Sequence, residues 1–411
     1  MKLSTLILAN DTDSRFHSDT PEVLHSLAGQ PIIHHLLDLV ARLEATPIVV
    51  AVPESKDAIQ EAVGDEVRCE ALATPATLAG ALQRALDAME EMPEQLVVLP
   101  ADTPLLRGET LRALVAQQID SEVPVAAIAD SDVLCLGRGA LHKLEEMDAA
   151  AFETWLAQTW DEGASVIAEE PDELLCIETR VDLSRAATIM RRRINERWML
   201  AGVTLTDPAT TYIDATVTIG HDTVIAPNTH LRGETMIGEA CRVGPNTIIE
   251  SCTLGDRCEV LVSVLEFAIM EDDSDIGPFG HLRKGARICK GAHMGNFGEM
   301  KNSTLGPGAK MGHFSYLGDA EVGPEANIGA GTITCNYDGV RKHPTIIEEG
   351  AFIGSDTLLI APVNVGARAK TGAGSVVTRD VPADTLAYGV PARIRGKQLS
   401  KDKGGSDDDE R

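Results

Sequence analysis

The sequence predicts two unlike halves: an α/β domain with a parallel sheet, then a parallel β-helix built from hexapeptide repeats. Three observations carry this. Strand-like runs alternate with helix-like segments through roughly the first 180 of 411 residues. From residue 202 onward aliphatic residues recur every six positions. Between the two lies SRAATIMRRRINERWMLA (184–201), which reads as one further helix connecting them, with its cluster Arg191–Arg193 on a solvated face. The predicted divisions are thus 1–183, 184–201, 202–396 and a polar, charged tail over 397–411 expected to be disordered.

LSTLILA (3–9) reads as a buried first strand, preceded by no cleavable signal. PIIHHLLDLVARL (31–43) has helical spacing, TPIVVAVP (46–53) is a second strand, TLAGALQRALDAMEEM (77–92) an amphipathic helix and EQLVVLPAD (94–102) a third strand. Strand–helix–strand order at this pitch gives a parallel sheet with covering helices. In the second half the series Ile213, Ile219, Ile225, Leu231, Ile237, Val243, Ile249 keeps a period of six, with Gly following several members. Neither a helix nor an ordinary strand has that period. A β-helix with three short faces per coil does, each repeat turning one corner and pointing one aliphatic residue inward. The series breaks at 262–275 and at 332–346, where loops are expected to be ejected on one side.

Composition narrows the function classes. With 36 basic and 63 acidic residues the formal charge is −27, which disfavours nucleic-acid binding and docking on an anionic membrane. No apolar run approaches the length that crosses a bilayer. The eight cysteines form no C-x-x-C pair, so they read as buried thiols of a reducing cytoplasm rather than zinc ligands or a redox dithiol. Arg outnumbers Lys 24 to 12, and heavy acidity with little Lys suits a high-salt cytoplasm as well as an ordinary acidic protein.

Chemistry concentrates in 277–379. Arg283, Glu299, Lys301, His313, Tyr316, Asn327, Asn336, Tyr337, Lys342 and Ser355 all fall there, including two of the four tyrosines of the chain. A solenoid needs mainly aliphatic, small and turn residues, so this mixture is surplus to folding. Cations suit a sugar phosphate, and a histidine suits deprotonation of an amine near neutral pH.

At these residues a resemblance becomes specific. GHFSYLGDAEVGPEANIGAGTITCNYDG (312–339), EMKNSTLG (299–306) and FIGSDTLLIAPV (352–363) resemble the acetyltransferase half of the bifunctional bacterial enzymes of UDP-N-acetylglucosamine synthesis, the GlmU family. WMLAGVTLTDPA (198–209) extends the likeness. The resemblance implies a left-handed β-helix that forms homotrimers, works in the cytoplasm and uses acetyl-CoA. It implies His313 as general base and Glu299 as the residue that orients or polarises the reacting groups. Arg283, Lys301 and Lys342 would hold the sugar phosphate, Lys342 from a neighbouring subunit. Tyr316, Asn327, Asn336 and Tyr337 would contact sugar or acetyl group, and Ala330, Ser355 and Ala373 would line the acetyl-CoA path. Near the C-terminus YGVPARIRG (388–396) departs from the family: Gly389 stands where an Arg beside the CoA is usual, with Arg393 and Arg395 as substitutes close by.

The first half resembles the family's nucleotidyltransferase (Rossmann-like) domain in LILANDTDSRFHSDTPEVLHSLAGQPIIHH (6–35) and departs from it at the phosphate contacts. The family's glycine-rich loop becomes Asn10-Asp11-Thr12-Asp13-Ser14, with aspartate where glycine lets backbone N–H groups approach a triphosphate. The lysine of its P-K-V-L-H is Glu22, and the glutamines of its uracil-reading segment are absent from 72–81. Asp102 remains at a Mg²⁺-ligand position, while the partner Asn finds no match in IETRVDLSRA (177–186). The expectation is a domain that folds but has lost uridylyl transfer, so that Mg²⁺ matters only if this half is active. The alternatives are a fully bifunctional enzyme, an acyltransferase for another amino-sugar phosphate, and a non-catalytic nucleotidyltransferase-like module that holds a partner protein.

Overall fold

Apolar residues on both faces of a strand demand a covering layer on both sides, and the first half is built that way. The computed structural model describes residues 3–9, 15–53, 57–65, 67–72 and 77–397. Asn10–Ser14 of the substituted loop, residues 73–76 of the second segment and the tail from residue 398 lie outside the described residues. The chain forms two compact units, Met1–Arg191 and Arg192–Arg411.

In chain order the first unit holds β1 (Leu3–Leu8), the small hairpin β2 (Ser26–Leu27) and β3 (Gln30–Pro31), α1 (Ile32–Ala41), β4 (Ile48–Pro53), α2 (Asp57–Val63), β5 (Arg68–Leu72), α3 (Leu78–Asp87), β6 (Gln95–Pro100), α4 (Gly108–Asp120), β7 (Val125–Ile128), β8 (Leu134–Gly137), α5 (Arg138–Glu146), α6 (Ala149–Glu162) and β9 (Ala164–Val166). Seven strands make one sheet in the order β5-β4-β1-β6-β8-β7-β9. One face packs Ile7, Val50 and Val97 against α1, α2 and α4, and the other packs Leu6, Val49 and Val98 against α3, α5 and α6. The α/β prediction holds, with one correction: the sheet is mixed. β8 runs antiparallel to both β6 and β7. Only residues 129–133 separate β7 from β8, too few for the crossover a parallel return needs.

The connecting helix α7 spans Arg180–Leu200, beginning four residues before the predicted 184. The Asp182 carboxylate accepts from the Thr179 amide at 3.1 Å, and the Thr179 hydroxyl accepts from the Asp182 amide at 3.2 Å. This reciprocal cap, T-x-x-D in sequence, sets the start. Likewise α3 ends at Asp87 rather than at 92.

The second unit is a stack of coils. Its strands fall into three parallel sheets of twelve, ten and nine strands, each coil giving one strand to each; these are faces 1, 2 and 3 below. Only the last strand, Ala392–Lys397, turns back antiparallel. Ile225, Val243 and Ile276 point inward from face 1, Leu231, Leu265 and Leu282 from face 2, and Ile237, Met270 and Ile288 from face 3, all buried. The predicted break at 262–275 is no ejected loop: Val264–Glu266 and Ile269–Met270 stay paired to the coils on either side. What breaks is the phase. Ser251, Val262 and Phe267 each take a left-handed backbone (φ 45–49°) at corners one residue shorter, so the inward residue comes after five positions instead of six. The break at 332–346 does eject a loop, residues 336–344 between strands Ile333–Cys335 and Thr345–Ile347.

All eight cysteines are free. Six are buried as expected, but Cys176 is exposed and Cys335 half-buried, because each sits on the outward side of its segment.

Close coil contact leaves no room at some corners. A Cβ on Gly354 would lie 2.6 Å from the Thr371 carbonyl oxygen and 2.7 Å from the Ala373 amide nitrogen. Gly354→Ala is expected to cost about 1–3 kcal/mol in denaturant unfolding, the usual range for overpacking against backbone, while an alanine at Gly139, where nothing lies within 4 Å and the backbone is not left-handed, has no such clash.

Candidate functional site

The site residues are distributed over one edge, the face beside it, and the ejected loop. The edge joins face 1 to face 2. Its successive corners are Gly277-Pro278-Phe279, Gly295-Asn296-Phe297, Gly312-His313-Phe314, Gly329-Ala330-Gly331, Gly354-Ser355-Asp356 and Gly372-Ala373-Gly374. Backbone bonds tie them in order: Gly331 N–H donates to the Phe314 carbonyl (2.7 Å), Asp356 N–H to Ala330 (2.6 Å) and Gly374 N–H to Ser355 (2.8 Å). His313, Ala330, Ser355 and Ala373, chosen from sequence, therefore form one ladder at one residue per coil.

His313 is exposed, and its Nδ1 lies 3.4 Å from Asn296 Oδ1 in the preceding corner. With that oxygen accepting, Nδ1 carries the proton and Nε2 is left as the base. In the two preceding corners Phe279 and Phe297 stack at 4.9 Å between centroids, and Phe314 holds the same place in the corner of His313. These three rings are 54%, 59% and 56% exposed.

Face 2 carries Glu299 and Tyr316 side by side in register, with His281 before them and Ile333 after. Glu299 Oε1 accepts from Arg283 Nη1 at 2.9 Å. The two groups expected to act separately on substrate thus hold each other. Lys301 pairs with Gly318 on the adjoining strand. Gly318 has a specific reason to lack a side chain. A Cβ there would meet the Tyr316 hydroxyl and lie 2.7 Å from the Asn336 amide nitrogen, so those two polar groups converge over its backbone.

Asn336 opens the ejected loop, whose turn is held by Asp338. That carboxylate accepts from the Val340 amide (2.7 Å), the Arg341 amide (2.6 Å) and His343 Nε2 (2.7 Å). The Arg341 amide above all, then His343 and the Val340 amide, hold the Asp338 carboxyl below its ordinary value. A depressed carboxyl value stabilises above the unfolded one, so this clasp is complete at neutral pH and is lost only in acid. Tyr337 bridges Lys342 antiparallel across the loop, and its hydroxyl donates to the Gly339 carbonyl at 2.7 Å. Lys342 stands exposed at the loop's far side.

Two placements were not legible in the sequence. Asn327 is on face 1, between Lys310 and Phe352, round the edge from Glu299 and Tyr316. One chain does not gather the whole predicted set on one surface. Asp319 was missed: its Oδ1 accepts from Asn302 Nδ2 and its Oδ2 from Asn336 Nδ2, both at 2.6 Å. It fixes the loop's first residue to the coil below. Its only sequence signal is a polar residue directly after Gly318.

Near the C-terminus, strands Thr385–Gly389 and Ala392–Lys397 form a hairpin beside the Ala373 corner. The Arg395 guanidinium lies 5.2 Å from the Tyr388 ring centre. Arg393 is exposed on the same strand.

In the first unit Asp102 follows β6, and its carbonyl accepts from the Ile177 amide at 2.9 Å, which brings Glu178 alongside. Glu178 is engaged by Arg15 Nη2 at 2.6 Å. Among the described residues no three His, Cys, Asp or Glu side chains gather as a metal site would require. Mg²⁺ takes one or two carboxylates besides waters and phosphates. Here Glu178, next to the residue bonded to Asp102, is already paired with Arg15, a poor fit to the ion.

Comparison with known proteins agrees with the two-part architecture. Residues 5–164 match the MobA-like NTP transferase domain, residues 216–251 the bacterial transferase hexapeptide (six repeats), and residues 344–379 the hexapeptide repeat of succinyl-transferase. The chain is 36% identical to the "Bifunctional protein GlmU" of Heliobacterium modesticaldum, over 94% of this chain and 95% of that protein. It is 37% identical to the protein of the same name from Pelobacter propionicus, with the same coverage.

If Asp319 anchors the loop, Asp319→Ala frees it. Trypsin is then expected to cut after Arg341 or Lys342 at least several-fold faster, with a stability loss of about 1–2 kcal/mol for the hydrogen bonds removed. Unchanged cleavage would show that the Asp338 turn holds the loop alone.

Proposed function

Because the chain belongs to the GlmU family of bifunctional proteins, we propose that its β-helix transfers acetyl from acetyl-CoA to the amino group of glucosamine-1-phosphate, for UDP-N-acetylglucosamine synthesis, and that its first unit no longer transfers uridylyl groups. The observation that carries the first part is the ladder. His313 is stacked directly in line with Ala330, Ser355 and Ala373, so a thioester lying along small side chains would bring its carbonyl to the base.

His313 Nε2 takes a proton from the amine as its nitrogen attacks the thioester carbonyl. Arg283, Lys301 and Lys342 supply cations for the sugar phosphate. Glu299, bonded to Arg283, keeps that guanidinium in place until a phosphate competes for it. Tyr316, Asn336 and Tyr337 offer hydroxyl and amide groups to the sugar and acetyl group. Beside the Ala373 corner, the hairpin's Arg393 and Arg395 offer cations for the CoA phosphates.

The same reading includes a homotrimer. Asn327 lies on face 1, away from the Glu299 face, and Lys342 is exposed on the ejected loop, so a second copy's Asn327 or Lys342 would complete the set. The exposed phenylalanine column beside His313 is apolar surface that such packing would cover. Sedimentation is expected to give three times the 43.8 kDa chain mass, and a monomer with full activity would refute the shared site. No helix of the described residues is long and apolar enough to cross a membrane, and eight unbridged cysteines together with acetyl-CoA as donor support a cytoplasmic setting.

Loss of uridylyl transfer is supported by the Arg15–Glu178 pair and by Glu22, which place negative charge and a neutralised arginine where a triphosphate needs cations. The bifunctional alternative is favoured by the relatives' shared name. Paired assays separate them. Acetyl-CoA with glucosamine-1-phosphate is expected to release CoA, about 10²–10⁴-fold more slowly in His313→Ala. N-acetylglucosamine-1-phosphate with UTP and Mg²⁺ is expected to release no pyrophosphate. Pyrophosphate above background establishes the bifunctional enzyme, and CoA release only with other amino-sugar phosphates reassigns the acceptor.

A further inference from the structure

Acetylation of an amine at neutral pH has two protons to dispose of. The acceptor arrives as an ammonium ion, because amines of the α-amino kind titrate near about 8. One proton must leave before the nitrogen has a lone pair, and a second leaves as the amide forms. His313 accounts for only one of them.

A second imidazole stands one coil away. His293 is on face 1, one coil before the strand that leads into His313. Its Nδ1 lies 2.6 Å from Asp275 Oδ1 on the coil below. Its Nε2 points to the Gly312 corner, 4.0 Å from where a Cβ on that glycine would be. No other non-neighbouring heavy atom lies within 4 Å of that position. With Asp275 accepting from Nδ1–H, Nε2 is the free acceptor. The groups around the dyad on face 1 are Glu259 beneath Asp275, and Lys310 and then Asn327 above His293. Asn296 and His313 lie across the edge. His293 is 44% and Asp275 40% exposed, so the pair is open to solvent and unneeded for the core.

We propose that His293, oriented by Asp275, is the first proton acceptor of the acetyltransfer site, and converts the incoming ammonium to the nucleophilic amine. The inference rests on the acetyltransfer reading above. An N–H bond of the ammonium breaks as an Nε2–H bond forms on His293, and the Asp275 carboxylate balances the imidazolium. That proton passes to water and is the one acid equivalent the reaction releases. The free amine then attacks the thioester carbonyl, its second proton moves to His313 Nε2, and His313 returns it to the departing sulfur to give the CoA thiol. Two histidines thus divide two protons, one lost to solvent and one delivered to the leaving group.

The test is the pH dependence of kcat/KM for the amino-sugar phosphate in His293→Gln and Asp275→Asn, followed by CoA release. At pH 6.5, His293→Gln is expected to fall tenfold or more below wild type. At pH 9.5, where the amine is already neutral, it is expected within twofold of wild type. Asp275→Asn follows the same pattern with a smaller loss. Circular dichroism confirms that both variants keep the fold. A loss equal at every pH makes His293 structural and overturns the proposal, as does no loss at any pH. A wild-type protein that releases no CoA with any amine acceptor overturns the acetyltransfer reading, and this proposal with it. The two failures are distinguished by the wild-type assay alone.

Discussion

Backbone hydrogen bonds between successive coils decide where every functional group of the β-helix stands. Each coil lies at the inter-strand distance of about 4.8 Å from the next, and the bonds are in register on all three faces. A residue's neighbours above and below are therefore the residues one coil away in sequence, 16–18 positions in most coils. Glu299 meets Tyr316 and His313 meets Asn296 for this reason alone. Inward aliphatic residues close each coil, and the outward positions are free to carry chemistry at no cost to the core.

This explains what could be read from the chain and what could not. Inward packing is a steric demand on every repeat, so Ile213, Ile219 and Ile225 announced the β-helix by period alone. The ladder of His313, Ala330, Ser355 and Ala373 was legible as a set through motif resemblance. Its alignment on one edge is a property of register. Contacts such as Asp319 with Asn336, or Asp275 with His293, join residues 17 and 18 positions apart. They depend on the exact length of the coil between them, and short corners at Ser251, Val262 and Phe267 change that length without a mark in composition. The cap that starts α7 was written in Thr179 and Asp182, whereas the reversal of β8 follows from a connection too short to cross over.

The arginine excess also has a place in the structure. Arg257 makes two bonds to Asp273 (2.6 and 3.1 Å), and Arg368 two to Asp384 (2.7 and 2.8 Å), each across one coil. A planar guanidinium can join both oxygens of a carboxylate on the next coil, which an ammonium cannot do. Exposed pairs of this kind contribute little individually and less in salt. Their value lies in geometry: they hold adjacent corners at one spacing on a surface that carries a large negative charge. In the first unit the same preference has a different result, since Arg15 is engaged with Glu178 through Nη2.

The edge that carries His313 is graduated like a rule. Three divisions separate it from Ala373, about 14 Å at one coil each, the span of an extended chain of about a dozen single bonds. Each division beyond His313 offers a small side chain, a methyl at Ala330 and Ala373 and a hydroxyl at Ser355. On the proposed reading, a carrier laid along it would be measured by counting coils, and gaining or losing one coil would change the accepted length by a fixed step without altering the chemistry at either end.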